Sequence, residues 1–243
     1  MLPTITDFDA LPLYFEGNSR ILKDAGHSNL LICKLKATVF SLQENGPVHV
    51  PGIDRMRTQL NDLLCRVLHQ GGIKTSTLAT KNGLIFIEKH DVPPIEVVVK
   101  TAMVGSPKHL YKGIEHTPTR LNDDLTSDHP PYVRFDWRNP LPWEDQCMPE
   151  GLAKYFIDTA QATNTALKAF NILQNLFQKH DLHLIDICFF MNAAGDVICA
   201  EVSTDNCRLA YRGSDPHIAK VLASKDKNRS LERAECILKL LER

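Results

Sequence analysis

The sequence predicts an α+β protein of two lobes, a β-rich lobe over residues 1–91 and a larger α/β lobe over residues 92–243. Three observations predict it. The first third breaks into short apolar and β-branched runs separated by turns. The middle is rich in proline and reads as loop around one strand. The last third holds a long amphipathic helix followed by two strands around a polar turn.

Taken in order, Leu13–Phe15 and the pair Ile21-Leu22 are strands around the turn Glu16-Gly17-Asn18-Ser19-Arg20, and 29–35 is a third. From 52 to 69 the apolar residues Ile53, Met56, Leu60, Leu64 and Leu68 recur at helical spacing until Gly71-Gly72 stops the helix. Leu84–Glu88 and Ile95–Val99 are strands flanking the Asp91–Pro94 turn. The prolines at 130, 131, 140 and 142 confine 113–148 to loop, except for a strand at Tyr132–Trp137. One helix is expected from Glu150 to His180, buried along Phe156, Ala160, Leu167, Phe170, Leu173 and Phe177. A hairpin of 182–190 and 197–203 turns at Asn192–Asp196, and Ser230–Leu241 is a last amphipathic helix.

Composition narrows the function. The 28 Lys and Arg balance 29 Asp and Glu, which excludes the basic excess of a nucleic-acid or membrane-surface protein. No apolar run approaches the ~20 residues of a membrane span, and the N-terminus is not patterned as a signal peptide. The seven cysteines are scattered, odd in number and without a C-x-x-C pair, so reduced thiols in a cytoplasmic protein are expected rather than a zinc site. Neither H-E-x-x-H nor a P-loop nor G-x-S-x-G occurs. Cys188 reads as a buried structural thiol rather than a nucleophile.

Four segments, in order, carry a resemblance. The turn Gly17-Asn18-Ser19-Arg20 lies between two strands, where backbone N–H groups can approach phosphates. Pro94-Ile95-Glu96-Val97-Val98-Val99-Lys100 leads into Gly105-Ser106. Val133–Asn139 ends on Arg138. Leu184-Ile185-Asp186-Ile187-Cys188-Phe189-Phe190 precedes Ala200-Glu201-Val202-Ser203-Thr204-Asp205-Asn206-Cys207-Arg208. Together these resemble the SAICAR synthetase (phosphoribosylaminoimidazole-succinocarboxamide synthetase) family, with Lys100 standing for the family's arginine, and Asn18 and Cys188 for lysines.

The resemblance implies a two-lobed fold with the site between the lobes. It also implies ATP-dependent amide formation between a ribotide carboxylate and an amino acid such as aspartate. Catalytic roles fall to Asp186, Lys100 and Arg208. An anionic small-molecule substrate falls to Lys100, Ser106, Arg138, Asp205 and Arg208, and the nucleotide to Gly17 and Arg20. Magnesium falls to Asp186 and Glu201, because Phe190 and Ala200 stand where the family has its metal-binding carboxylates. Strand alternation puts Asp186, Cys188 and Phe190 on one face, and Glu201 opposite to Ala200. Magnesium wants carboxylate or phosphate oxygens, so Mg-ATP is expected to bind weakly or not at all. Three readings follow: a divergent ligase, a paralogue of specialised metabolism that has dispensed with Mg-ATP, and a non-catalytic ligand-binding protein. The sequence is compatible with a homo-oligomer.

Overall fold

The computed structural model describes residues 3, 5, 7–26, 29–41, 46–102, 129–140, 143, 145–224 and 226–242. The α+β class holds: two five-stranded antiparallel sheets are accompanied by helices. The first sheet has the order β1-β2-β3-β8-β7, built from β1 (Leu13–Glu16), β2 (Arg20–Asp24), β3 (Leu30–Leu35), β7 (Thr77–Lys81) and β8 (Leu84–Glu88). The second has the order β11-β10-β9-β12-β14, from β9 (Ile95–Lys100), β10 (Tyr132–Trp137), β11 (Gln146–Met148), β12 (Leu182–Phe190) and β14 (Cys207–Tyr211). The strands on either side of Asp91–Pro94 thus belong to different sheets. Two pairs complete the strands: β4 (Thr38–Ser41) with β5 (Gly46–His49), and β6 (Lys74–Thr75) in parallel with β13 (Val197–Ile198).

The helices are α1 (Ile53–Gln70), α2 (Glu150–Ala153), α3 (Thr159–Gln178), α4 (Pro216–Ala223) and α5 (Ser230–Leu241). The single helix expected over 150–180 is two. Asp158 caps α3, accepting from the Gln161 N–H at 3.0 Å, while its own N–H donates to the Ala193 carbonyl at 2.9 Å. An N-cap takes non-helical dihedrals, so the chain must break there. The turn also buries Ile157, which a continuous helix would place off the apolar stripe.

Alternation builds the second sheet. Ile95, Val97 and Val99 of β9, Phe135 of β10 and Ile187 and Phe189 of β12 share one face, buried against Ala162, Ala166, Ala169 and Phe170 of α3. The alanines let the helix lie close to the strands. Truncating Phe189 would leave a cavity costing about 3–5 kcal/mol. Along β12 the core positions change parity, from Leu182 and Leu184 to Ile187 and Phe189. A bulge makes the change: the pairing with β14 slips between Leu184 and Asp186, and the Ile185 carbonyl accepts from Thr101 instead. That slip turns Asp186 onto the polar face.

The hairpin expected over 182–203 is shorter. Ladder bonds run from Asn192–Val197 to the Cys199 N–H on the Phe190 carbonyl at 2.8 Å, and β13 then pairs with β6. Residues beyond Cys199 form a turn, so strand alternation does not govern Ala200 and Glu201.

Candidate active site

The polar face of the second sheet carries a ladder of charges. Asp186 lies directly opposite Lys100 on one side and Arg208 on the other. The next pair along is Cys188 with Val98, then Phe190 with Glu96. On β10, Tyr132 faces Lys100, Arg134 faces Val98 and Asp136 faces Glu96. The expectation that Asp186, Cys188 and Phe190 share a face is met.

At one end, Asp186 Oδ2 accepts from Lys100 Nζ at 2.6 Å and from Arg208 Nη1. Lys100 and Asp186 are buried, whereas Arg208 is 53% exposed. Burial pulls the Lys100 pKa down from the usual lysine range, with Asp186 opposing and Arg208 and Arg134 adding to the fall. Two cations, Lys100 and Arg208, thus meet on the one carboxylate of Asp186.

At the other end, Glu96 accepts from the Cys188 thiol at 3.0 Å and from Arg138 Nη1 at 3.2 Å, and the Arg138 guanidinium lies 5.2 Å from the Phe190 ring centre. Burial raises the Glu96 pKa, Cys188 opposing. Burial and Glu96 together push the Cys188 thiol well above its ordinary value, so Cys188 is a protonated donor and not a thiolate nucleophile.

Beside the ladder, the 201–206 turn is tied down. Arg57 of α1 donates Nε to Glu201 Oε1 at 2.9 Å, Nη2 to Oε2, and Nη1 to the Thr38 carbonyl at 2.8 Å; Nη2 also lies 3.4 Å from Asp205. Burial works against the Arg57 charge, but Glu201 and Asp205 outweigh it and its pKa rises. Ser203 Oγ donates to Glu201 at 2.6 Å, and Asn206 Nδ2 donates to the carbonyls of Cys188 and Glu201. Through Thr38, whose hydroxyl donates to the Asn18 carbonyl at 2.7 Å, the network reaches the β1–β2 turn.

In that turn the Gly17 N–H is spent on the Arg20 carbonyl at 2.9 Å, so it is not available to a phosphate. Arg20 lies near enough to Cys33 and Cys199 to oppose, with its charge, the rise that burial gives both thiols, each pushed up to about 12. Thus Lys100, Asp186 and Arg208 come together; Arg138 sits at the far end of the same face; Asp205 and Glu201 gather on Arg57. Ser106 lies outside the described residues.

Sequence reasoning missed Arg57, Glu96, Arg134 and Asp136. Each had a signal: Arg57 stands within the apolar stripe of α1, and the other three alternate with core residues on their strands.

Magnesium fits the described residues poorly. No group of three His, Cys, Asp or Glu among them could hold a metal ion. Phe190 and Ala200 offer no side-chain oxygen, and the two carboxylates expected to serve, Asp186 and Glu201, are each engaged by basic side chains.

Two antiparallel sheets, with a helix on the apolar face of the second and a charged ladder on its polar face, define an α+β protein whose polar sheet face gathers its ionisable side chains. The sequence signature of SAICAR synthetase matches residues 14–235, and the chain belongs to that family. Phosphoribosylaminoimidazole-succinocarboxamide synthase of Prochlorococcus marinus is 28% identical over 225 residues, covering 88% of this chain and 87% of its own. The bifunctional cordycepin biosynthesis cluster protein 3 of Cordyceps militaris is 24% identical over 221 residues, covering 76% of this chain, which spans only 25% of that longer protein. Among solved structures, a SAICAR synthetase in complex with ADP superposes with a TM-score of 0.75 at 23% identity, covering 95% of this chain and 97% of the other. The Saccharomyces cerevisiae enzyme complexed with SAICAR gives 0.70 at 14% identity, covering 98% and 96%. Among the described residues no helix is long and apolar enough to cross a membrane.

Proposed function

We propose that this chain is a divergent amide-forming ligase of the SAICAR synthetase type, acting on an anionic carboxylate substrate held at Lys100 and Arg208. One observation carries the reading: Lys100 and the half-exposed Arg208 converge on the single carboxylate of Asp186, which fixes both side chains side by side where the anionic substrate is expected. In the family's reaction the substrate carboxylate takes the γ-phosphoryl group of ATP, releasing ADP. An amine then attacks the acyl carbon, the C–O bond to phosphate breaks with its electron pair, and the amine loses a proton as the amide forms. The chain's share of this work is positioning and charge neutralisation. Lys100 and Arg208 orient the acid. Asp186, shared between them, keeps their side chains in place, so little reorganisation is needed when charge shifts.

This reading places the nucleotide near Arg20, on the side of residues 1–91, the substrate on the side of residues 92–243, and the protein in the cytoplasm. The test is phosphate release from ATP in the presence of a carboxylated aminoimidazole ribotide and an amino acid. Release that requires both is expected; release that needs neither, or none at all with the ribotide bound, defeats it.

A second reading is favoured by Arg57 on Glu201 and by Phe190 and Ala200. It keeps the anion site, dispenses with Mg-ATP and serves specialised metabolism, for which the relative from the cordycepin cluster gives support. Calorimetry that detects the ribotide but not Mg-ATP would select it.

A further inference from the structure

Four buried polar atoms on one short stretch find no hydrogen-bond partner among the described residues: His129 Nε2, Arg134 Nε and Nη1, and Asp136 Oδ1. The Arg134 and Asp136 side chains are only 9% and 6% exposed, and Arg134 Nη2 donates to Asp136 Oδ2. Each therefore satisfies half of the other and leaves the rest of its capacity unspent. Buried donors and acceptors without partners are costly, and they are uncommon where nothing binds. Arg134 and Asp136 are placed by β10, and His129 lies on the segment that enters it. Arg134 and Asp136 point to the polar face, and the His129 ring stacks on Tyr132 with centroids 5.4 Å apart.

The unmet groups are of two kinds. Arg134 offers donors and a positive charge, which an acid group matches. Asp136 offers an acceptor. An ionised carboxylate or a dianionic phosphate monoester cannot satisfy it, because neither brings a hydrogen. The ligand must carry a donor as well. Oδ1 is an ionised acceptor with a second carboxylate, Glu96, directly opposite, and a charged donor such as an ammonium makes the stronger hydrogen bond to it than a hydroxyl does. Carboxylate and ammonium a few ångströms apart describe an α-amino acid.

We infer that Arg134 and Asp136 form the subsite of the amine substrate, an α-amino acid whose carboxylate meets Arg134 and whose ammonium meets Asp136. The inference rests on the ligase reading above and adds the site of the second substrate. Arg134 faces Val98, and Lys100 is two residues along the same strand, a diagonal of about 7–8 Å. An amino acid at Arg134 therefore lies beside an acid at Lys100, as amide formation requires. His129 contributes its Nε2 at the same edge.

The experiment is calorimetric and needs neither ATP nor turnover, so its failure would leave the ligase reading standing and a failed turnover assay would leave this subsite standing. L-Aspartate, L-alanine and L-arginine are titrated into the whole chain, with succinate as the counterpart of aspartate lacking the amine. At least one amino acid is expected to bind with a Kd near 1 mM or tighter, and aspartate about tenfold or more tighter than succinate. Arg134→Met should weaken amino-acid binding about tenfold or more. Asp136→Asn should weaken aspartate while leaving succinate unchanged. Should either variant fail to fold, the wild-type comparison of aspartate with succinate decides. Equal binding of the two, no binding of any amino acid, or an Arg134→Met protein with wild-type affinity would each overturn the inference.

Discussion

Arg57 of α1 holds Glu201 by both carboxylate oxygens, across a sequence separation that spans most of the chain. The guanidinium is 1% exposed, and its remaining N–H groups reach Asp205 and the Thr38 carbonyl. Taking one partner from a buried pair strands the other. Arg57→Met should therefore cost about 3–5 kcal/mol, while the double change with Glu201→Met should cost clearly less than the sum of the singles. Urea unfolding of the four proteins measures this.

The same pair bears on metal. With Glu201 neutralised, and Phe190 and Ala200 lacking oxygens, added Mg²⁺ should leave the melting temperature of the ligand-free chain unchanged. Phe190→Glu with Ala200→Asp should strengthen Mg²⁺-dependent ATP binding about tenfold or more over the wild type. Calorimetry decides, and tight Mg²⁺-dependent binding by the wild type would remove the basis for the second reading.

Arg208 separates binding from folding. Being half exposed, its pair with Asp186 contributes no more than about 1 kcal/mol to stability. As a charged donor to an anionic ligand it is worth about 1.5–3 kcal/mol. Arg208→Gln should thus weaken ribotide binding roughly tenfold to a hundredfold with little change in melting temperature. A large fall in both would make Arg208 a structural residue.

Glu96 gives a pH signature. Its folded-state pKa is raised by burial, so the folded chain binds its proton more tightly than the unfolded chain does. The contribution is fully present below the ordinary glutamate pKa and is lost as pH rises through the raised value. Glu96→Gln should accordingly flatten the decline in stability across that window and leave the variant relatively more stable at neutral pH. Denaturant midpoints from pH 4 upward follow it.

How far the sequence could be read depends on locality. Strand Tyr132–Trp137 and the helix Ser230–Leu241 are legible because their periodicity is complete within the element, and Leu182–Phe190 because its apolar run is long enough to mark a strand despite the bulge. The break at Asp158 is not, because an apolar stripe continues through a cap whose partner, the Ala193 carbonyl, lies on a distant turn. In the site, Asp186, Lys100 and Arg208 are named together by the family pattern, while their pairing across three strands depends on a register shift that the sequence does not display. Arg57 is not, since a lone arginine on an apolar helix face does not name the carboxylate it meets. Nor could Cys188 reveal Glu96, because the contact exists only once β9 and β12 are paired.

The small parallel ladder of β6 with β13 sets the order in which the molecule can be assembled. Lys74 pairs with Val197, and the Ser76 N–H donates to the Ile198 carbonyl at 2.7 Å just before β7 begins. A chain leaving the ribosome therefore exposes β7 and β8 long before their anchor has been synthesised. Loop-closure entropy must be met before that ladder forms, which makes it a late and slow step. The N-terminal sheet can therefore form its own ladders early but gains this last anchor only after Val197 and Ile198 have emerged, so nascent chains cut short before Val197 should be the more readily digested by protease.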